Sequence, residues 1–189
     1  MAESKFDFTL LVDGPDDITE ELEDKLFEAR CDDATISVSS GRLSLTFARV
    51  AGSLKEAIVS AIKDVRQANI GVVNRVDDCS LITQSEIARR IGRSRQMVHQ
   101  YINGQRGPGG FPRPACSIVK TMPLWYWCEV AYWLEKNSLI DEQELRRAQE
   151  LAVINSILDL EMQRAIDPGL TASLMDELCL CVSVGEYAQ

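Results

Sequence analysis

Four small polar or glycine residues constrain this chain more than any other feature: Thr83, Gly92, Ser94 and Gly104, which punctuate the stretch QSEIARRIGRSRQMVHQYING from residue 84 to 104. Threonine and serine side chains accept the free backbone N–H groups at a helix N-terminus. Glycine enters, without strain, the left-handed conformation that ends a helix. The spacing therefore predicts a first helix from Gln84 to about Ile91, opened by Thr83, with Glu86 completing a capping box. A second helix, opened by Ser94, is expected from Arg95 to Asn103. Ile87, Ala88 and Ile91 on the first can meet Val98, Tyr101 and Ile102 on the second, with Ala88 small where the helices cross. Two short helices joined by a three-residue glycine turn have the spacing of a helix-turn-helix.

Charge gives this pair its meaning. The chain carries a formal net charge of -9, from 29 acidic and 20 basic side chains. Between Gln84 and Lys120, however, Arg89, Arg90, Arg93, Arg95, Arg106, Arg113 and Lys120 face a single acid, Glu86. A polyanion is the expected partner of such a segment. The outward residues of the second helix, Arg95, Gln96, His99 and Gln100, are side chains able to read base edges: arginine toward guanine N7 and O6, glutamine toward adenine N6 and N7. Thr83, Arg90, Arg93, Ser94, Arg106, Arg113 and Lys120 are expected on the DNA backbone. The loop Gln105-Arg106-Gly107-Pro108-Gly109-Gly110, then Phe111-Pro112-Arg113-Pro114 and a β-like run from Cys116 to Lys120, cannot continue a helix. Residues Gln105 to Lys120 are expected to form a wing, followed by a helix from about Leu124 to Lys136. Trp125, Trp127 and Trp133 are expected as the core that holds this last helix to the helix pair.

The text TQSEIARRIGRSRQMVHQYI, then FPRP, then LWYWCEVAYWL resembles the winged helix-turn-helix regulators of the MerR, excisionase and AlpA-like kind, over roughly residues 80 to 136. The resemblance implies insertion of the second helix into the major groove, phosphate contact from the wing, and a role in transcriptional regulation, often in phage or mobile-element control. Arg93 departs from it, standing where these motifs commonly place an aliphatic residue. The flanking regions also lack the coiled coil or metal-sensing end of typical MerR proteins, so inducer binding and promoter twisting are not implied.

The expected fold class is α+β, in three parts: residues 1–78, 79–137 and 138–189. In the first, Phe6 to Val12 alternates as a half-buried strand, and Thr19 caps a helix with Leu22, Leu26 and Phe27 on one face. Thr35–Ser39 and Arg42–Val50 flank the tight turn Ser40-Gly41. Ser53 opens a helix carrying Leu54, Ala57, Ile58, Ala61, Ile62 and Val65 at helical spacing, and Ile70–Val73 is a last short strand. This βαββαβ order is that of a ferredoxin-like fold. Twelve acids and three bases in the first 33 residues make it a poor nucleic-acid surface, better suited to partner binding, dimerisation or effector sensing. In the third part, Asp141 caps a long helix with a stripe of Leu151, Ile154, Leu158 and Ala165 ending at Asp167-Pro168-Gly169, and a last helix begins near Thr171 with Leu170, Leu174 and Leu178.

Enzymatic readings find little support: the chain has no phosphate-binding loop, no dinucleotide glycine fingerprint and one histidine, His99. No cofactor and no metal is expected, because the six cysteines include no C-x-x-C pair and the one close pair, Cys179 and Cys181, is a weak metal signal. No apolar run approaches the ~18 residues of a membrane span. The MAESKFDF start lacks the features of a secretory signal, so the expected location is the cytoplasm, and the nucleoid when DNA-bound. The leading functional expectation is a sequence-specific double-stranded DNA-binding regulator, as a homodimer. The alternative, from another class, is an antitoxin or adaptor whose acidic N-terminal domain binds a basic protein partner and tethers it to DNA.

Overall fold

The computed structural model describes residues 3–78, 80–117 and 122–178. They form an α+β structure with two antiparallel sheets. In the first sheet β1 (Ser4–Asp13), β2 (Ala34–Ser39), β3 (Arg42–Ala51) and β4 (Val72–Val76) lie in the order β2-β3-β1-β4, every neighbour antiparallel. The β2–β3 turn is tight because Ser40 and Gly41 both adopt positive φ, 53° and 71°, the requirement of a two-residue hairpin whose twist matches its strands. Helices α1 (Glu20–Glu28) and α2 (Leu54–Ala68) pack on one face of the sheet, over Leu10, Val12, Leu43, Leu45 and Phe47. Thr19 and Ser53 cap them through the N–H groups of Leu22 and Glu56, each at 3.2 Å. All six expected core positions of α2 are buried. Phe27 is not: Leu22 and Leu26 fill the α1 face, and Phe27, about 100° further round the helix, is 71% exposed. The last strand also lies further along than its local pattern suggests, because pairing with Leu10 to Asp13 across a bulge sets its limits.

Inside this first core, Arg49 is buried with all five guanidinium N–H groups engaged. They donate to Asp33 twice, Asp64, Ser60 and the Arg30 carbonyl, at 2.7–3.1 Å. A buried arginine so fully satisfied ties β3, α2 and the α1–β2 loop together.

The second sheet is small. Strand β7 (Pro123–Tyr126) lies between β5 (Leu81–Ile82) and β6 (Cys116–Ser117). Here the sequence reading needs correction, since Leu124 to Tyr126 begin no helix. Their backbone pairs with Leu81 and Ile82 on one side and Cys116 on the other, and α5 starts only at Trp127, running to Lys136.

Helix α6 (Glu142–Ile166), capped by Asp141 through the Glu144 N–H at 2.8 Å, joins the two halves. Its Leu145 and Ala148 enter the tryptophan-rich core, whereas Leu151 and Leu158 enter the core under the four-stranded sheet. Residues 138–178 thus add no buried cluster of their own. Ala165, expected on the buried stripe, is exposed, because the helix has run past the body by that point. Asn155, buried, accepts from the Val76 N–H at 2.8 Å and donates to the Val76 carbonyl at 3.2 Å. Its amide thereby takes the place of a neighbouring strand on edge strand β4. Helix α7 (Pro168–Glu177) turns off α6 at Asp167 and buries none of its residues. Among the described residues no helix is long and apolar enough to cross a membrane.

Candidate nucleic-acid interface

The helix pair forms where its punctuation residues lie. Helix α3 (Gln84–Arg90) is capped by Thr83, whose hydroxyl accepts from the Glu86 N–H at 3.2 Å, and α4 (Arg95–Ile102) by Ser94, accepting from the Met97 N–H at 3.2 Å. Gly92 closes the turn at φ 61°, and the Arg93 N–H returns to the Ala88 carbonyl at 2.9 Å. Ile87, Ala88, Val98 and Tyr101 are buried between the helices, with Ile91, Met97 and Ile102 packed against them. The Gln84 amide also donates to the Arg95 carbonyl at 2.9 Å, fastening the start of α3 to the first turn of α4.

The capping box is only half made. Glu86 turns away from the Thr83 backbone to meet Arg89 at 2.6 and 2.9 Å and Arg90 at 3.1 Å. The hydrogen bond from Arg89, and then that from Arg90, holds its carboxyl well below the usual range, at about 2. Three charge-assisted bonds outcompete one neutral N–H.

Arg90 must be withdrawn from the residues expected on a DNA backbone. Its guanidinium is largely covered, bonds Asp78 at 2.7 Å as well as Glu86, and lies 5.0 Å over the Trp127 ring. It is a structural cation at the junction of α3, α5 and the end of β4. Arg93, Arg95, Arg106 and Arg113 behave differently: all four are exposed, and among the described residues none makes an ion pair. Lys120 lies outside the described residues.

On α4, Arg95, Gln96 and His99 are exposed and Gln100 is half-buried. At 3.6 residues per turn they fall, with Asn103, within an arc of roughly 140°. Asn103 is absent from the sequence-based set of base readers, yet it shares this face. Its Nδ2 donates to the His99 carbonyl at 2.9 Å and lies 2.9 Å from His99 Nε2. The signal is there in the sequence: Asn103 stands four residues after His99, hence directly above it on a helix.

The loop after α4 follows the tryptophans. The Trp133 indole N–H donates to the Gly109 carbonyl at 2.9 Å, and the Trp125 N–H to the Pro112 carbonyl at 3.1 Å. Phe111 sits edge-on to both rings, with centroids 5.0 and 6.5 Å away, and Tyr101 lies 5.4 Å from Trp133. Gly107, at φ 78°, passes close to Tyr101 and Trp133 where a side chain would be strained. This loop is therefore held against the aromatic core rather than standing off as a wing from Gln105 onward, and it carries Arg106 and Arg113 on its outer side. The strands β6 and β7 flank residues 118–121, which lie outside the described residues. No family model, no curated relative and no solved structure matches the chain.

Proposed function

We propose that the chain is a sequence-specific double-stranded DNA-binding regulator, in which residues 80–136 act as a winged helix-turn-helix and residues 3–78 as a ferredoxin-like accessory domain. In this reading α4 enters the major groove. Arg95, Gln96, His99, Gln100 and Asn103 face base edges, while Arg93, Arg106, Arg113 and the capped ends at Thr83 and Ser94 meet phosphates. The order strand, helix, helix, strand, strand, with β7 between β5 and β6, suits the fold of a winged helix.

One observation carries the reading. In a chain of net charge -9, the exposed arc of α4 and the loop beside it hold four arginines that make no ion pair among the described residues. From residue 91 to 117 the sequence holds these four arginines and no Asp or Glu, and a cationic surface with no acid of its own suits an external polyanion. The acidic α1, with Glu20, Glu21 and Glu23 in its first turn, would turn away from the duplex. Selection of bound sites from a random duplex library tests the proposal. A recovered consensus that specifies a few base pairs supports it, and recovery of unenriched sequence refutes it.

A further inference from the structure

Helix α6 has a second face that no other described residue covers. Leu151, Asn155 and Leu158 point into the body, but Val153, Ile157 and Leu160, on the other side of the helix, are 59%, 53% and 45% exposed. Three aliphatic side chains in a row on a helix surface are more than scattered exposure explains. Along the same line of the helix lie Arg146 and Glu150 before them and Arg164 after them. The six positions advance by alternating steps of four and three residues, the repeat that keeps one seam of a helix facing a partner helix.

The charges on this seam say what the partner is. Glu150 stands on one side of the aliphatic centre and Arg164 on the other. Laid antiparallel on itself about a two-fold axis through Ile157, the helix sets Ile157 against Ile157 and Val153 against Leu160 of the second copy. The same operation sets Glu150 against Arg164, and the two-fold axis makes that opposite-charge pair twice. Parallel pairing in register would instead set every charge against its like. In the single chain Arg164 makes no ion pair among the described residues, and Glu150 is bonded only to Arg146 of its own helix, at 3.4 Å. Val59 of α2, partly exposed beside Ile157 in the groove between α2 and α6, extends the apolar floor.

We infer that this chain forms a homodimer through an antiparallel α6–α6 seam centred on Ile157. The inference stands apart from the DNA reading and is tested without DNA, so either can fail alone. The test is sedimentation of the full chain across a concentration series, with substitutions outside the buried face of α6. Glu150→Arg alone places arginine opposite Arg164, and Arg164→Glu alone places glutamate opposite Glu150. Each converts two symmetry-related attractions into repulsions and should weaken the dimer roughly tenfold. Mixing the two single variants should restore dimers, because every cross-pair is then opposite in sign, and the double variant Glu150→Arg with Arg164→Glu should dimerise by itself. Ile157→Asp, with two carboxylates on the axis, should abolish association. Recovery on mixing also shows that the single variants are folded. A wild-type chain that stays monomeric throughout the series overturns the inference, as does a dimer that neither the charge reversals nor Ile157→Asp weakens, or single variants that mixing fails to rescue.

Discussion

Replacing Asn155 by alanine should destabilise the whole molecule, although Asn155 lies outside the candidate interface. Its side chain is 3% exposed and forms both hydrogen bonds to Val76, at 2.8 and 3.2 Å. Truncation removes two bonds, each worth about 1 kcal/mol net. It also leaves the Val76 N–H and carbonyl of an edge strand buried without partners, a penalty of about 1–3 kcal/mol for such groups when water does not replace the bond. Partial hydration of the space left behind lowers the sum, so about 2–4 kcal/mol is expected. That is a large share of the roughly 5–15 kcal/mol of a typical domain. For a chain of this size it corresponds to a fall in Tm of very roughly 5–15 °C. Because α6 contributes to both buried clusters, the loss should appear in one cooperative transition. Urea unfolding followed by tryptophan fluorescence, which reports the second core, and by far-UV circular dichroism, which reports both, measures it. A loss below about 0.5 kcal/mol, well under the value of one such bond, or two separated transitions already present in the wild type, would refute the role given to α6.

Three further outcomes follow from individual side chains. Glu86, held at about 2 by Arg89 and then Arg90 against an ordinary value of 4.5, has a depressed folded-state pKa; its contribution is complete above pH ~4.5 and is lost as the pH falls toward 2. Glu86→Gln should therefore be less stable than wild type at pH 7, with the gap closing between about pH 4.5 and 2 in parallel thermal melts. Trp133→Phe keeps a ring against Tyr101 and Phe111 but releases the Gly109 carbonyl; a cost of about 1–2 kcal/mol and faster proteolysis of the 103–115 loop are expected from chemical denaturation and limited trypsin digestion at Arg106. Arg106→Ala with Arg113→Ala should weaken specific and random duplex alike and flatten the log–log salt dependence by roughly 0.9 for each phosphate that is no longer neutralised, as read by fluorescence anisotropy; an unchanged slope removes that loop from the interface.

Helix starts were legible in the sequence because a cap is a local contract between one side chain and a backbone N–H three residues on. Thr19, Ser53, Thr83, Ser94 and Asp141 all make that bond. The alternation of β1, β2 and β3 and the apolar spacing of α2 are equally local. What the sequence hid depends on distant partners. Pro123–Tyr126 has apolar spacing that a helix could share, and only pairing with Leu81, Ile82 and Cys116 makes it a strand. The division of α6 between two cores, and the aliphatic seam left on its outer side, depend on where β4 and α2 come to rest. At the candidate site the arc from Arg95 to Asn103 follows from helical geometry alone. Arg90 does not: Asp78, Glu86 and Trp127 converge on it from three elements, and no local pattern announces that.

The central claim, that α4 reads bases, is tested most directly by titrating Arg95→Ala and Gln96→Ala against the selected operator and each of its single-base changes. A bidentate arginine contact to guanine is worth about 1–3 kcal/mol of discrimination, and neither side chain is buried. The account therefore predicts that preference collapses at one or two positions of the sequence read by each α4, while affinity for random duplex and thermal stability stay close to wild type. If Arg95→Ala retains the full base preference of the parent, α4 is not the reader. The basic surface from residue 84 to 117 would then have to be explained by a partner other than the major groove.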